Sequence, residues 1–178
     1  MKNLKLIRIS VFLMFCSLFS CDLIEKADDV TFSATAPLSY MVNETAISSG
    51  GQFYSDTKLL NLGSDPEVAK YSSKIKKFKV NKITYTISAA NPTSVKFSNG
   101  IIKIASNGTT IATAPSVVLL SNNAETELTA DANGLNVLAD LLLDNKQEQI
   151  QLQGTISETP VSFTVIFKFY LTITANAL

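Results

Sequence analysis

The chain has 178 residues, 15 basic and 15 acidic side chains, a formal net charge of zero, two cysteines, and neither histidine nor tryptophan. Lack of histidine excludes an imidazole base, a Ser-His-Asp triad and a histidine-ligated metal. Arg8 is the only arginine, so no guanidinium clamp for phosphate or carboxylate exists beyond it.

The N-terminal segment comes first. Lys2, Lys5 and Arg8 precede an apolar run, Ile9–Phe19, broken only by Ser10, Cys16 and Ser17. That run is too short for a membrane span, which needs about 20 apolar residues, but it has the layout of an export signal. It ends in Leu18-Phe19-Ser20-Cys21, which resembles the lipobox of bacterial lipoproteins. The resemblance implies cleavage before Cys21 and a diacylglyceryl group on its sulfur. The acidic stretch Asp22-Leu23-Ile24-Glu25-Lys26-Ala27-Asp28-Asp29 resembles the tags behind the lipid cysteine of Bacteroidota surface lipoproteins. In enterobacteria an Asp after that cysteine instead suggests inner-membrane retention, and the residues leave both open. Cleavage removes three basic residues and leaves 12 lysines against 15 acidic side chains. The resulting acidic balance argues against nucleic acid. With Cys21 lipidated and Cys16 removed, disulfides, thiol catalysis and zinc sites are excluded.

The expected organisation is a signal peptide at 1–20, a tether at 21–29 and one domain at 30–178. Val30–Val42 reads as a strand pair or bent strand, with Pro37 at an edge or bulge. Asn43–Gly51 reads as a turn and Gln52–Leu60 as a strand. Ser64-Asp65-Pro66-Glu67 opens a predicted helix, followed by Val68, Tyr71, Ile75 and Phe78 at helical spacing, so the helix is expected over Ser64–Lys77. Phe78–Ala89 is the next strand, and a change of phase near Asn81-Lys82 predicts a bulge. Asn91-Pro92 ends it. Asn99-Gly100 and Asn107-Gly108 are predicted hairpin turns separating Val95–Ser98, Ile101–Ser106 and Thr109–Ala114. Val117–Leu120 and Thr126–Ala130 follow as strands. A second helix is expected over Gly134–Leu143, capped by Asp131 or Asn133, with Asn136, Asp140 and Asp144 as its polar stripe. Gln149–Ser157 alternates, and Val161–Ala175 is the longest alternating run in the chain. Many short strands with closely spaced turns predict a mainly β, single-domain antiparallel sandwich of immunoglobulin-like type with two short helices.

Candidate chemistry is sparse. Lysines at 70, 74, 76, 77, 79 and 82 form the main charge cluster, and Lys70, Lys74 and Lys77 are candidate contacts to an anionic surface such as lipid head groups or acidic glycan. The plain reading of such a run is a solvated face that protects a strand edge. Glu125, Glu127, Asp131, Asp140 and Asp144 offer oxygen ligands for calcium but lack the spacing of a calcium loop. No motif nominates catalytic residues, a cofactor or a metal site.

Thr84-Tyr85-Thr86-Ile87-Ser88-Ala89-Ala90-Asn91-Pro92, a later Gly-containing hairpin and helix, and Leu152-Gln153-Gly154-Thr155-Ile156 follow in an order similar to late-embryogenesis-abundant type 2, or water-stress, sandwich domains. The likeness covers roughly residues 78–175 and implies a sandwich with no catalytic residues to transfer. The expectation is therefore a non-catalytic, lipid-anchored envelope protein at the outer membrane. It would bind or scaffold, with the membrane as one partner through Cys21 and an envelope protein or glycan as another. Three alternatives stand beside it. One is a carrier or sensor of an apolar ligand between the second helix and the last strand. Another is a hydrolase built on two facing carboxylates. The third is assembly by exchange of the Val161–Ala175 strand.

Overall fold

A computed structural model describes residues 28–119 and 122–177. The strands are β1 (Asp29–Ser48), β2 (Gln52–Asn61), β3 (Ile75–Asn91), β4 (Lys96–Ile104), β5 (Thr110–Ala114), β6 (Val117–Val118), β7 (Asn122–Glu127), β8 (Thr129–Ala130), β9 (Gln147–Ile156) and β10 (Thr159–Asn176). The helices are α1 (Pro66–Lys70) and α2 (Ala132–Asn145).

Two antiparallel sheets face each other. One has the order β1-β10-β3-β7 and the other β2-β9-β4-β5-β8, with β6 paired to β4. The first strand thus lies beside the last, and the second beside the second-last. This nesting is that of a jelly roll, a double sheet of two Greek keys. The mainly β sandwich with two short helices is as expected. Its connectivity is not immunoglobulin-like, because β1–β2, β3–β4 and β9–β10 each cross from one sheet to the other. Alternation marks a strand but does not name its partner, so the sequence pattern could not distinguish the two.

β10 occupies the middle of its sheet. Val161, Phe163, Val165, Phe167, Phe169, Leu171, Ile173 and Ala175 are all buried and point at the second sheet. Ile102, Ile104, Ile150, Leu152 and Ile156 meet them from β4 and β9. β10 is paired on both edges, to β1 and β3, so the strand considered for exchange is consumed within its own sheet.

Tyr40 ties the two layers together. Its side chain is fully buried, and its hydroxyl on β1 donates to the Ile150 carbonyl on β9 at 2.6 Å. The ring meets Phe167 edge-on, with centroids 5.7 Å apart. The tip of the Phe97 ring reaches β9 because residue 154 is glycine: a Cβ there would fall 2.2 Å from Phe97 Cζ.

α2 begins at Asp131, whose carboxylate accepts from the Gly134 amide at 2.6 Å. The helix buries Leu135, Leu138, Ala139 and Leu142 and exposes Asn136, Asp140 and Asp144, the expected polar stripe. Each buried leucine contributes about 1.5–3 kcal/mol.

Several predicted elements differ. β1 runs through Pro37 without a break, as an edge strand permits, and continues through Asn43 to Ser48. The helix predicted over Ser64–Lys77 is only Pro66–Lys70, and its N-cap is Asp65, which accepts from the amides of Glu67 and Val68. Ile75 and Phe78 belong to β3, where pairing with β10 overrides their helical spacing. The predicted bulge is present: Val80 pairs Leu171 and Lys82 pairs Tyr170, which leaves Asn81 extra. Asn107-Gly108 makes the β4–β5 turn, and Gly108 has φ of 75°. Asn99-Gly100 is a bulge within β4, not a turn, with Asn99 at φ 52°. Left-handed backbone serves either purpose.

Candidate functional site

Cys21 lies outside the described residues. The lysine cluster lies within them, and pairing places it. Asp29 faces Asn176 across β1 and β10, the Ala177 amide donates to the Asp28 carbonyl at 2.7 Å, and the Asn176 amide donates to the Lys74 carbonyl at 2.9 Å. The chain therefore leaves the sandwich toward Cys21 at the end where β10 finishes and β3 starts. Lys77 pairs with Thr174 and Lys79 with Thr172, and both are exposed. Lys74 is exposed in the turn before them. Lys76 Nζ meets Asp29 Oδ1 at 2.7 Å. Lys70 lies over the Tyr71 ring at 4.9 Å, and Tyr71 packs on Phe32 of β1. Tyr71 and then Glu67 raise the Lys70 pKa. The fold thus gathers Lys70, Lys74 and Lys77 at one end, the end where the described chain begins at Asp28.

A second polar cluster occupies the outer face of the β1-β10-β3-β7 sheet. Glu125 on β7 accepts from Thr84 Oγ1 at 2.6 Å, from the Tyr170 hydroxyl, and from Lys168 Nζ at 3.0 Å. Lys82 covers the Tyr170 ring at 4.8 Å. The hydroxyls of Thr84 and Tyr170 and the Lys168 ammonium hold the Glu125 carboxyl down to about 2. In return Glu125 raises the pKa of both Lys168 and Tyr170. These bonds fasten the short β7 to β3 and, across it, to β10. The residues that make them are scattered over positions 84, 125, 168 and 170, so sequence inspection had no local signal to follow.

The acidic candidates for calcium are dispersed. Glu125 and Glu127 sit on β7, Asp131 caps α2, and Asp140 and Asp144 are on the exposed stripe of α2. Among the described residues, no three His, Cys, Asp or Glu side chains are placed to hold a metal ion.

An apolar cavity of about 30 Å³ lies between the sheets, lined by residues including Tyr85, Phe97, Val117, Leu152, Phe163 and Phe167. None of its lining residues comes from α2.

The strand order and these sites define a two-sheet jelly roll with a basic end beside its chain exit. No protein-family model and no curated protein matches this chain. Among solved structures it is similar to the decameric BFDV capsid protein, at 11% identity and a TM-score of 0.47 over 82% of this chain and 98% of that one. It is also similar to Turnip Yellow Mosaic Virus, at 8% identity and a TM-score of 0.37 over 84% and 96% of the two chains. A third is the cyanophage Pam1 capsid, at 12% identity and a TM-score of 0.38 over 79% and 85%. Likenesses this distant carry no functional weight, and the jelly-roll assignment stands on strand order alone.

Proposed function

We propose that this protein is a lipid-anchored component of a bacterial cell envelope at the outer membrane, whose jelly roll binds or scaffolds rather than catalyses. The observation that carries the reading is Leu18-Phe19-Ser20-Cys21 behind a basic and apolar leader. Two or more acyl chains on Cys21 would hold the domain stably, whereas one gives only marginal binding. The first strand starts at Asp29, eight positions after Cys21, so the domain sits on a short leash. Thr84, Lys168 and Tyr170 on the sheet's outer face are engaged with Glu125, an arrangement suited to a fixed surface.

The carrier reading has less support. Ligand pockets commonly enclose about 300–1,000 Å³, and the apolar cavity between the sheets measures about 30 Å³.

The test is metabolic labelling with a clickable fatty acid, followed by fractionation. The expected result is label on the wild-type chain in the membrane fraction and loss of both in Cys21→Ala. A wild-type chain without label, or a Cys21→Ala chain that keeps it, would overturn the proposal.

A further inference from the structure

We propose that the end of the jelly roll carrying Lys74, Lys77 and Lys79 seats on anionic lipid head groups of the membrane that holds Cys21; the inference rests on the lipid-anchor reading above. The three lysines are exposed around the point where the chain exits. From Cys21 to Asp29 there are eight residue steps, which reach at most about 29 Å when extended. The opposite end of the sandwich lies about 55–60 Å away along the 18-residue β10. Of the two ends, the tether therefore keeps the lysine end close to the bilayer.

The acids at this end are mostly committed. Asp29 pairs with Lys76, Asp65 caps α1, and Glu67 acts on Lys70. Lys74, Lys77 and Lys79 are the surplus among the described residues at this end, and the sequence between Cys21 and Asp29 adds the charges of Asp22, Glu25, Lys26 and Asp28. The screening length is about 8 Å at physiological salt, so the attraction acts only once the end has settled. A short tether supplies a high effective concentration, which lets a weak patch register. Each lysine near an anionic surface is worth roughly fivefold, and three give about a hundredfold before the tether carboxylates subtract.

The mature lipidated protein, which starts at Cys21, is reconstituted in vesicles of phosphatidylcholine, with or without phosphatidylglycerol. A fluorescent donor sits at Ser73→Cys beside the lysines or at Ser49→Cys at the far end, and the acceptor is on the head groups. The expected result is stronger transfer from position 73 on anionic vesicles, with little change at position 49. The gain should fall at least tenfold, as a seated-to-unseated ratio, in Lys74→Gln/Lys77→Gln/Lys79→Gln and in high salt. Equal transfer on both vesicle types from a protein with lipid on Cys21 would overturn the seating and leave the anchor intact. Absence of lipid on Cys21 would overturn both.

Discussion

Replacing Tyr40 by Phe removes one oxygen from the centre of the fold. The ring stays, with its edge-on contact to Phe167, so no cavity opens. What disappears is the bond to the Ile150 carbonyl at 2.6 Å, which joins β1 of one sheet to β9 of the other. A hydrogen bond contributes about 0.5–1.5 kcal/mol net, and a buried acceptor left unpaired costs about 1–3 kcal/mol. A carbonyl has a second lone pair, so the expected loss is about 1–2 kcal/mol, well short of the ~3–5 kcal/mol of a large-to-small core truncation. The same substitution has a pH signature. Burial, then the charges of Asp56 and Tyr54, raise the Tyr40 pKa well above its ordinary 10.0. The unfolded chain therefore releases this proton first. The contribution is whole below pH 10 and falls as pH rises toward the folded value, by up to about 1.4 kcal/mol per pH unit. Tyr54, mainly by burial, and Tyr170, mainly through its hydrogen bond to Glu125, are shifted in the same direction, so three tyrosines share the alkaline loss. Urea unfolding followed by far-UV circular dichroism, below and above pH 10, should show a lower midpoint at unchanged slope for Tyr40→Phe and a shallower alkaline decline. A variant as stable as wild type, with the same alkaline decline, would refute the tie between the sheets.

Further expectations concern close contacts and charge. Gly154→Ala should destabilise by about 1–3 kcal/mol or more, because its Cβ would lie 2.2 Å from Phe97 Cζ; Phe97→Leu in the same chain should recover part of the loss in urea midpoints. Gly134→Ala gains about 1 kcal/mol of helix propensity, yet should lower the thermal midpoint, because the new Cβ would fall 2.0 Å from the Thr110 carbonyl oxygen. Glu125→Gln should flatten the acid limb of the stability curve. The Glu125 pKa is depressed from 4.5 to about 2, so its contribution is present above 4.5 and lost as pH falls toward 2; a wild-type acid limb in the variant would assign that limb to other carboxylates.

The strands that alternate without interruption were legible in the sequence. Val161–Ala175 and Gln149–Ser157 place their apolar sets inward as read, because a buried face fixes the phase of a strand. The bulge at Asn81 was legible for the same reason, as a change of phase. Asp131 announced α2 through the chemistry of an N-cap. The errors share one cause. Ile75 and Phe78 satisfy a helical period by accident, and only the distant Ala175 and Ile173 on β10 make them strand residues. Asn99-Gly100 carries turn chemistry, but β9 pairs with β4 on both sides of it, Thr155 with Ser98 and Gln153 with Ile101, which makes it a bulge. The lysines were visible as a run; that they flank the start of the described chain at Asp28 required the β1–β10 register. The Glu125 cluster depends wholly on pairings between positions far apart in the chain.

The pairing of Asp29 with Asn176 also sets a clock. Among the described residues β1 pairs in its sheet with β10 alone, so the edge of that sheet waits for the final strand to be made and delivered. Such long-range closure folds slowly, because loop entropy is lost before the contacts form. If Cys21 carries lipid as proposed, a chain exported N-terminus first would be held at the membrane while β1 stays open, and the sandwich would close only after β10 had followed.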